Sequence, residues 1–165
     1  MMLPYTICFI KRGNEILLLN RNKSPLMGMW NGVGGKVEKE ETHEQCVIRE
    51  VEEETGITLS HVDYKGTITW NVDDSPLSGM YAYLANVPET FSYDTPIQTR
   101  EGVLEWKDIS WILHQENKGV VSNIKYFLPY MLRDNKLYTY HLVYKQDQIK
   151  QFTANEKDYM HKANY

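Results

Sequence analysis

Two almost wholly apolar runs, Thr6 to Ile10 and Ile16 to Leu19, flank Arg12-Gly13-Asn14-Glu15, whose residues suit a tight turn. The pattern predicts a buried strand and its hairpin partner. Arg21 to Met29, with its Ser-Pro and Met-Gly steps, reads as a loop. Further on, Val47 and Val51 make an apolar stripe at helical spacing, between Thr42-His43-Glu44-Gln45, which has the spacing of a capping box, and Gly56, which suits a C-cap. A helix between those marks follows. Strands are expected at His61 to Thr69, Met80 to Val87 and Val103 to Trp106, separated by Asp73-Asp74-Ser75-Pro76 and by a long polar loop from Pro88 to Arg100. A second helix is expected from near Ser122 to about Arg133, with Pro129 kinking or shortening it. The alternation of Tyr138, Tyr140, Leu142 and Tyr144 predicts a strand, Gln146-Asp147 a turn, and Ile149 to Phe152 its return. Residues 154–165 read as a polar tail.

With 165 residues, 42% of them hydrophobic, the chain can build one sizeable core but hardly two. We expect a single domain over 1–153, with 135–152 as an accessory hairpin. Only Cys8 and Cys46 are present, without the spacing of a zinc site or redox pair, and each lies in an apolar-rich segment. Two buried free thiols follow. The N-terminal apolar run stops at Lys11 and has no basic leader, so a cytoplasmic protein with no membrane association is expected.

Charge sharpens the picture. The net charge is −4, yet residues 35–57 alone hold eight Glu against Lys36, Lys39 and Arg49, which leaves the remainder at +1. That balance argues against a basic surface for direct nucleic-acid binding. On a helix, Glu50, Glu53 and Glu54 stand three and four residues apart and project from one face, while Glu52 points elsewhere. Carboxylates so grouped repel one another unless a cation joins them, and a hard divalent ion with oxygen ligands suits them. Gly34 and Gly35 allow the backbone to approach such a site closely, and the fork of Arg49 can hold neighbouring glutamates in fixed rotamers. The chemistry that fits is attack of water on one phosphorus of a diphosphate, with a carboxylate taking the proton.

Gly35, five residues, Glu41, seven residues, then Arg49-Glu50-Val51-Glu52-Glu53-Glu54-Thr55-Gly56-Ile57 resembles the signature of the Nudix hydrolases, with every fixed position matched. The resemblance implies an α/β fold, an α/β/α sandwich around a central mixed β-sheet, here with a C-terminal β-hairpin extension. It implies Mg2+, with Mn2+ as an alternative, held by Glu50, Glu53, Glu54 and the carbonyl of Gly34. Arg49 corresponds to the orienting arginine, and Gly35, Glu41 and Gly56 to supporting positions. Glu101, in Arg100-Glu101-Gly102, resembles the outlying glutamate that serves as an extra metal ligand or base in MutT-type members. Glu53, Glu54, Arg49 and Glu101 are thus the catalytic set, with the choice of base open.

Substrate class is carried by the flanks. Trp30-Asn31-Gly32-Val33-Gly34-Gly35-Lys36-Val37 and Tyr126-Phe127-Leu128-Pro129-Tyr130-Met131-Leu132 both resemble segments of oxidised-purine nucleoside triphosphatases. The resemblance implies hydrolysis of a nucleoside triphosphate such as 8-oxo-dGTP to monophosphate and pyrophosphate. Asn31 and Asn123 would read the base, Thr6 would line its pocket, Lys36 would meet phosphate, and Arg21 is a further substrate-binding candidate. An Asn amide offers a donor and an acceptor, and oxidation at C8 turns guanine N7 from acceptor to donor. Trp30 and Trp111 are candidates to stack on the base, with core packing as the alternative. Asn123-Ile124 stands where the mammalian enzymes carry an Asp pair, so recognition through that pair does not transfer. Competing substrates are ADP-ribose, other nucleoside diphosphate derivatives and RNA 5′-ends, and from another class the chain could be a non-catalytic nucleotide sensor. A monomer or homodimer is expected, with residues 135–152 available to complete a sheet, cover the site or form a dimer contact.

Overall fold

The computed structural model describes residues 2–157. The apolar runs form the predicted hairpin: β1 (Tyr5–Arg12) pairs antiparallel with β2 (Glu15–Arg21). Beside them lie β3 (Trp30–Asn31), α1 (His43–Thr55), β4 (Asp63–Val72), β5 (Ser78–Val87), β6 (Ile97–Gln98), β7 (Gly102–Asp108), α2 (Ile109–Ile112), α3 (Ile124–Arg133), β8 (Tyr138–Lys145) and β9 (Gln148–Glu156). The sheet order is β6-β7-β2-β1-β5-β4-β8-β9, with β3 paired to β2 off this path. It is mixed, because β1 runs parallel to β5 and β4 parallel to β8.

Strand β1 is buried on both faces. Ile7 and Phe9 pack towards α2 and α3, meeting Ile112, Ile124, Phe127 and Met131, whereas Cys8 and Ile10 pack towards Val47 and Val51 of α1. The two cores make the expected α/β/α sandwich. Both cysteines are free and buried, as their apolar surroundings imply.

Helix α1 is capped at both ends as its sequence predicts. Thr42 accepts from Gln45 N while the Gln45 side chain accepts from Thr42 N, and Gly56 takes a left-handed φ of 78° and donates to Glu52 O at 2.8 Å.

Three features depart from the expected pattern, while the C-terminal hairpin takes one of the roles left open for it and completes the sheet. Helix α3 runs through Pro129 to Arg133 and is not cut short, its apolar side chains Phe127, Leu128 and Met131 fixed in the core. The polar loop 88–100 contains β6 and is anchored by Tyr93, which donates to Thr55 O at 2.6 Å and accepts from Trp106 Nε1 at 2.8 Å. The C-terminal hairpin is built into the sheet, and β8 gives Tyr138, Tyr140 and Leu142 to the α3-side core. Strand β9 continues to Glu156, three residues into the segment expected as a tail, because ladder pairing with β8 persists to Tyr138. Most of that tail lies outside the described residues.

Among the described residues no helix is long and apolar enough to cross a membrane.

Candidate active site

Val47 and Val51 dock α1 on the sheet and so turn its acidic face towards the glycine loop. Arg49 is the hub there. Its Nε and Nη2 meet the two oxygens of Glu41 at 2.6 and 3.0 Å, Nη1 meets Glu50 at 3.0 Å and Glu53 at 3.2 Å, and Nη2 also donates to Lys36 O at 3.2 Å. The fork holds the Glu41 carboxyl down at about 2, well below the ordinary carboxylate range.

The glycines are needed for space. A Cβ on Gly35 would lie 2.4 Å from Cδ of Glu50, and one on Gly34, at φ +153°, would lie 2.2 Å from Thr6 O. The Gly34 amide donates to Glu54 Oε2 at 3.0 Å. Burial pushes the Glu54 carboxyl up to about 8, with repulsion from Glu50 and Glu101 adding to it and the Gly34 N–H opposing it. Burial raises Glu50 as well, offset in part by Arg49.

Glu50, Glu53, Glu54 and Glu101 meet in one cleft of about 550 Å³, with Gly34, Gly35, Arg21, Thr99 and Arg100 completing its lining. Lys23 Nζ stands 3.4 Å from Glu101. Among the described residues no three acidic, His or Cys side chains close around a common point, since Glu50 and Glu53 lean on Arg49 and Glu54 on the Gly34 amide. The donor set nevertheless fits a hard divalent ion. All of it is oxygen, it is crowded with like charge, and the carboxyl raised to about 8 marks a place where positive charge would be welcome.

The other expected site residues lie apart from this cleft. Thr6 is buried beneath the glycine loop, 3.4 Å from Gly35 O and from Cys46 Sγ, so it braces that loop and does not line an open base pocket. Asn31 spends its Oδ1 on Gly32 N at 2.8 Å. Asn123 stands at the N-cap of α3 without capping it, and its side chain lies beside Tyr144. The Lys36 side chain is exposed, and its carbonyl serves Arg49. Trp30 and Trp111 pack edge to face at 6.4 Å, with Lys107 Nζ 4.5 and 4.7 Å from their rings; Trp30 is partly buried against the core, whereas Trp111 is exposed.

Three residues escaped the sequence. Arg100 and Thr99 line the cleft, and Asn22 clasps their turn, donating from Nδ2 to Arg100 O at 3.1 Å and from N to Glu101 O at 3.0 Å. The one signal was Thr99 three residues before Gly102, the spacing of a hydroxyl-closed turn.

A family model described as "NUDIX domain" matches residues 2–131. The chain belongs to the Nudix family. Among its Nudix relatives, the NAD-capped RNA hydrolase NudC of Haemophilus influenzae (strain PittEE) is 38% identical over 107 residues, which cover 57% of this chain and 40% of NudC. The chain thus spans well under half of that relative. The uncharacterized Nudix hydrolase YvcI of Bacillus subtilis is 28% identical over 133 residues, 80% of each chain. Among solved structures, a MutT protein from Bacillus halodurans superposes with a TM-score of 0.77 at 25% identity, covering 93% of this chain and 97% of that one. Nudix hydrolases generally use a divalent metal such as Mg2+, in keeping with the oxygen-rich cleft.

Proposed function

We propose that this Nudix hydrolase cleaves a nucleoside triphosphate, with an oxidised purine such as 8-oxo-dGTP as the preferred base, to monophosphate and pyrophosphate. The observation that carries the reading is the cleft itself, where four glutamates, the glycine loop and Arg21 surround about 550 Å³, ample for a phosphate chain. Glu50, Glu53, Glu54 and the Gly34 carbonyl would hold Mg2+, with Glu101 as a further ligand or base. Bound there, the ion supplies charge neutralisation on the phosphate oxygens and a more acidic water. The residues do the rest. Arg49 holds Glu50 and Glu53 in place, the Gly34 amide orients Glu54, and one cleft carboxylate accepts the proton as water attacks phosphorus and pyrophosphate leaves. Asn31, its oxygen held by Gly32, offers its NH2 to the base, and Asn123 beside Tyr144 offers a second polar contact. Likeness to the MutT protein along nearly the whole chain supports this reading.

A second reading, hydrolysis of an NAD-type diphosphate or a 5′-capped RNA, is favoured by the 38% identity with NudC over 107 residues. Steady-state hydrolysis with Mg2+ over 8-oxo-dGTP, dGTP, GTP, dATP, ADP-ribose and NAD separates the two. The first reading expects the highest kcat/KM for 8-oxo-dGTP with pyrophosphate as product. Activity confined to NAD or ADP-ribose would replace it with the second.

A further inference from the structure

Of the nine residues that line the cleft, only Arg21 and Arg100 carry positive charge. They are differently placed to use it. The Arg21 guanidinium is engaged with its own loop, donating to Lys23 O at 3.0 Å and Ser24 O at 3.4 Å. The Arg100 guanidinium is exposed and makes no side-chain hydrogen bond or ion pair among the described residues. Its backbone, by contrast, is fixed. Asn22 grips the carbonyls of Arg100 and Glu101, and the Thr99 hydroxyl accepts from the amides of Glu101 and Gly102 at 3.2 Å and donates to Gly102 O at 2.9 Å. Gly102, at φ +148°, lies so close to β2 that a Cβ would come within 1.9 Å of Asn20 O. The root is rigid and the head is free, beside a cleft that must otherwise repel its substrate.

We propose that Arg100 is a specificity-determining residue that engages the terminal phosphoryl group of a nucleoside triphosphate. This rests on the triphosphate reading above. Glu50, Glu53 and Glu54 would hold the ion around the scissile bond, with Glu101 as a further ligand or base, so the far end of the phosphate chain needs a cation of its own. A terminal phosphate monoester carries about −1.5 to −2 near neutrality, whereas each phosphate in the bridge of a dinucleotide bears a single charge. A guanidinium fork can grip two oxygens of such a terminal group at once. Arg100 therefore favours triphosphates over dinucleotides.

The test uses the full chain with Arg100→Ala and Arg100→Lys, both at an exposed position that folding tolerates. Calorimetric titration of pyrophosphate in the presence of Mg2+ is read beside KM and kcat on dGTP and NAD. Arg100→Ala is expected to weaken pyrophosphate binding by about tenfold or more and to raise KM for dGTP in step, with kcat changing less. Arg100→Lys should recover part of that loss, and NAD kinetics should shift by less than about threefold. Unchanged pyrophosphate affinity in Arg100→Ala, or equal losses on dGTP and NAD, would overturn the assignment. A wild type that hydrolyses NAD alone, yet loses pyrophosphate affinity on Arg100→Ala, would retain the phosphate contact and overturn the triphosphate function.

Discussion

Arg49 shows how much organisation one side chain can supply. It makes five hydrogen bonds with Glu41, Glu50, Glu53 and Lys36 O, from three nitrogens whose directions are fixed by the plane of the guanidinium. A lysine has the charge, but its three donors radiate from one nitrogen, so it cannot reproduce the fork that spans Glu41, Glu50, Glu53 and Lys36 O. Arg49→Lys is expected to lower kcat with Mg2+ by roughly ten- to a hundredfold, as loss of a ligand-orienting partner does, and to raise the Mg2+ needed for half-maximal activity. Circular dichroism should remain that of the wild type, because Val47 and Val51 still dock the helix. Wild-type dependence on Mg2+ in that variant would remove Arg49 from the ligand-holding role.

On the element scale, α1 joins two different jobs. Its inner end carries the acids, while its N-terminus is fastened to the sheet by His43, which stacks on Tyr81 at 3.9 Å and hydrogen-bonds the Tyr83 hydroxyl. Burial lowers the His43 pKa from its ordinary value of 6.5. Below 6.5 the unfolded chain therefore takes up a proton that the folded chain resists, and stability falls as pH drops from 6.5 through the folded value. His43→Gln should flatten that part of the profile, measured as Tm against pH between about 7 and 5. An unchanged slope would assign the acid sensitivity to other groups. The element was legible because both caps are local: Thr42, Gln45 and Gly56 act within a turn of themselves. The histidine's role was not, since Tyr81 and Tyr83 arrive from β5, some forty residues on.

At the scale of the molecule, the C-terminal hairpin shares the burden of the core. Tyr138, Tyr140 and Leu142 of β8 lie against Phe127, Leu128 and Met131 of α3, and β9 adds Phe152 over Tyr140. Each large side chain of this kind contributes about 1.5–3 kcal/mol by its burial, which together rivals the whole stability of an ordinary domain. A chain ending at Asp134 is expected to be insoluble or to lose its cooperative thermal transition, although every Nudix signature residue would remain. A soluble truncated chain melting within a few degrees of the full one would show the hairpin to be dispensable.

The sequence by itself determined the acidic helix α1, the hairpin of β1 and β2 and the acids grouped on one helix face, because each depends on neighbours three, four or a few residues away. It also determined the family, through a motif confined to residues 35–57. Only the tertiary structure decided which distant residues complete the cleft. Glu101 reaches it because β7 pairs with β2, and Arg100 comes along on the same turn under the grip of Asn22. The bridges from β1 to residues 33–36 buried Thr6 under the glycine loop, while Asn31 was drawn to Gly32. A side chain's spacing along the chain fixes its face of an element, but what that face meets is set by sheet order and by competition among all the groups packed there.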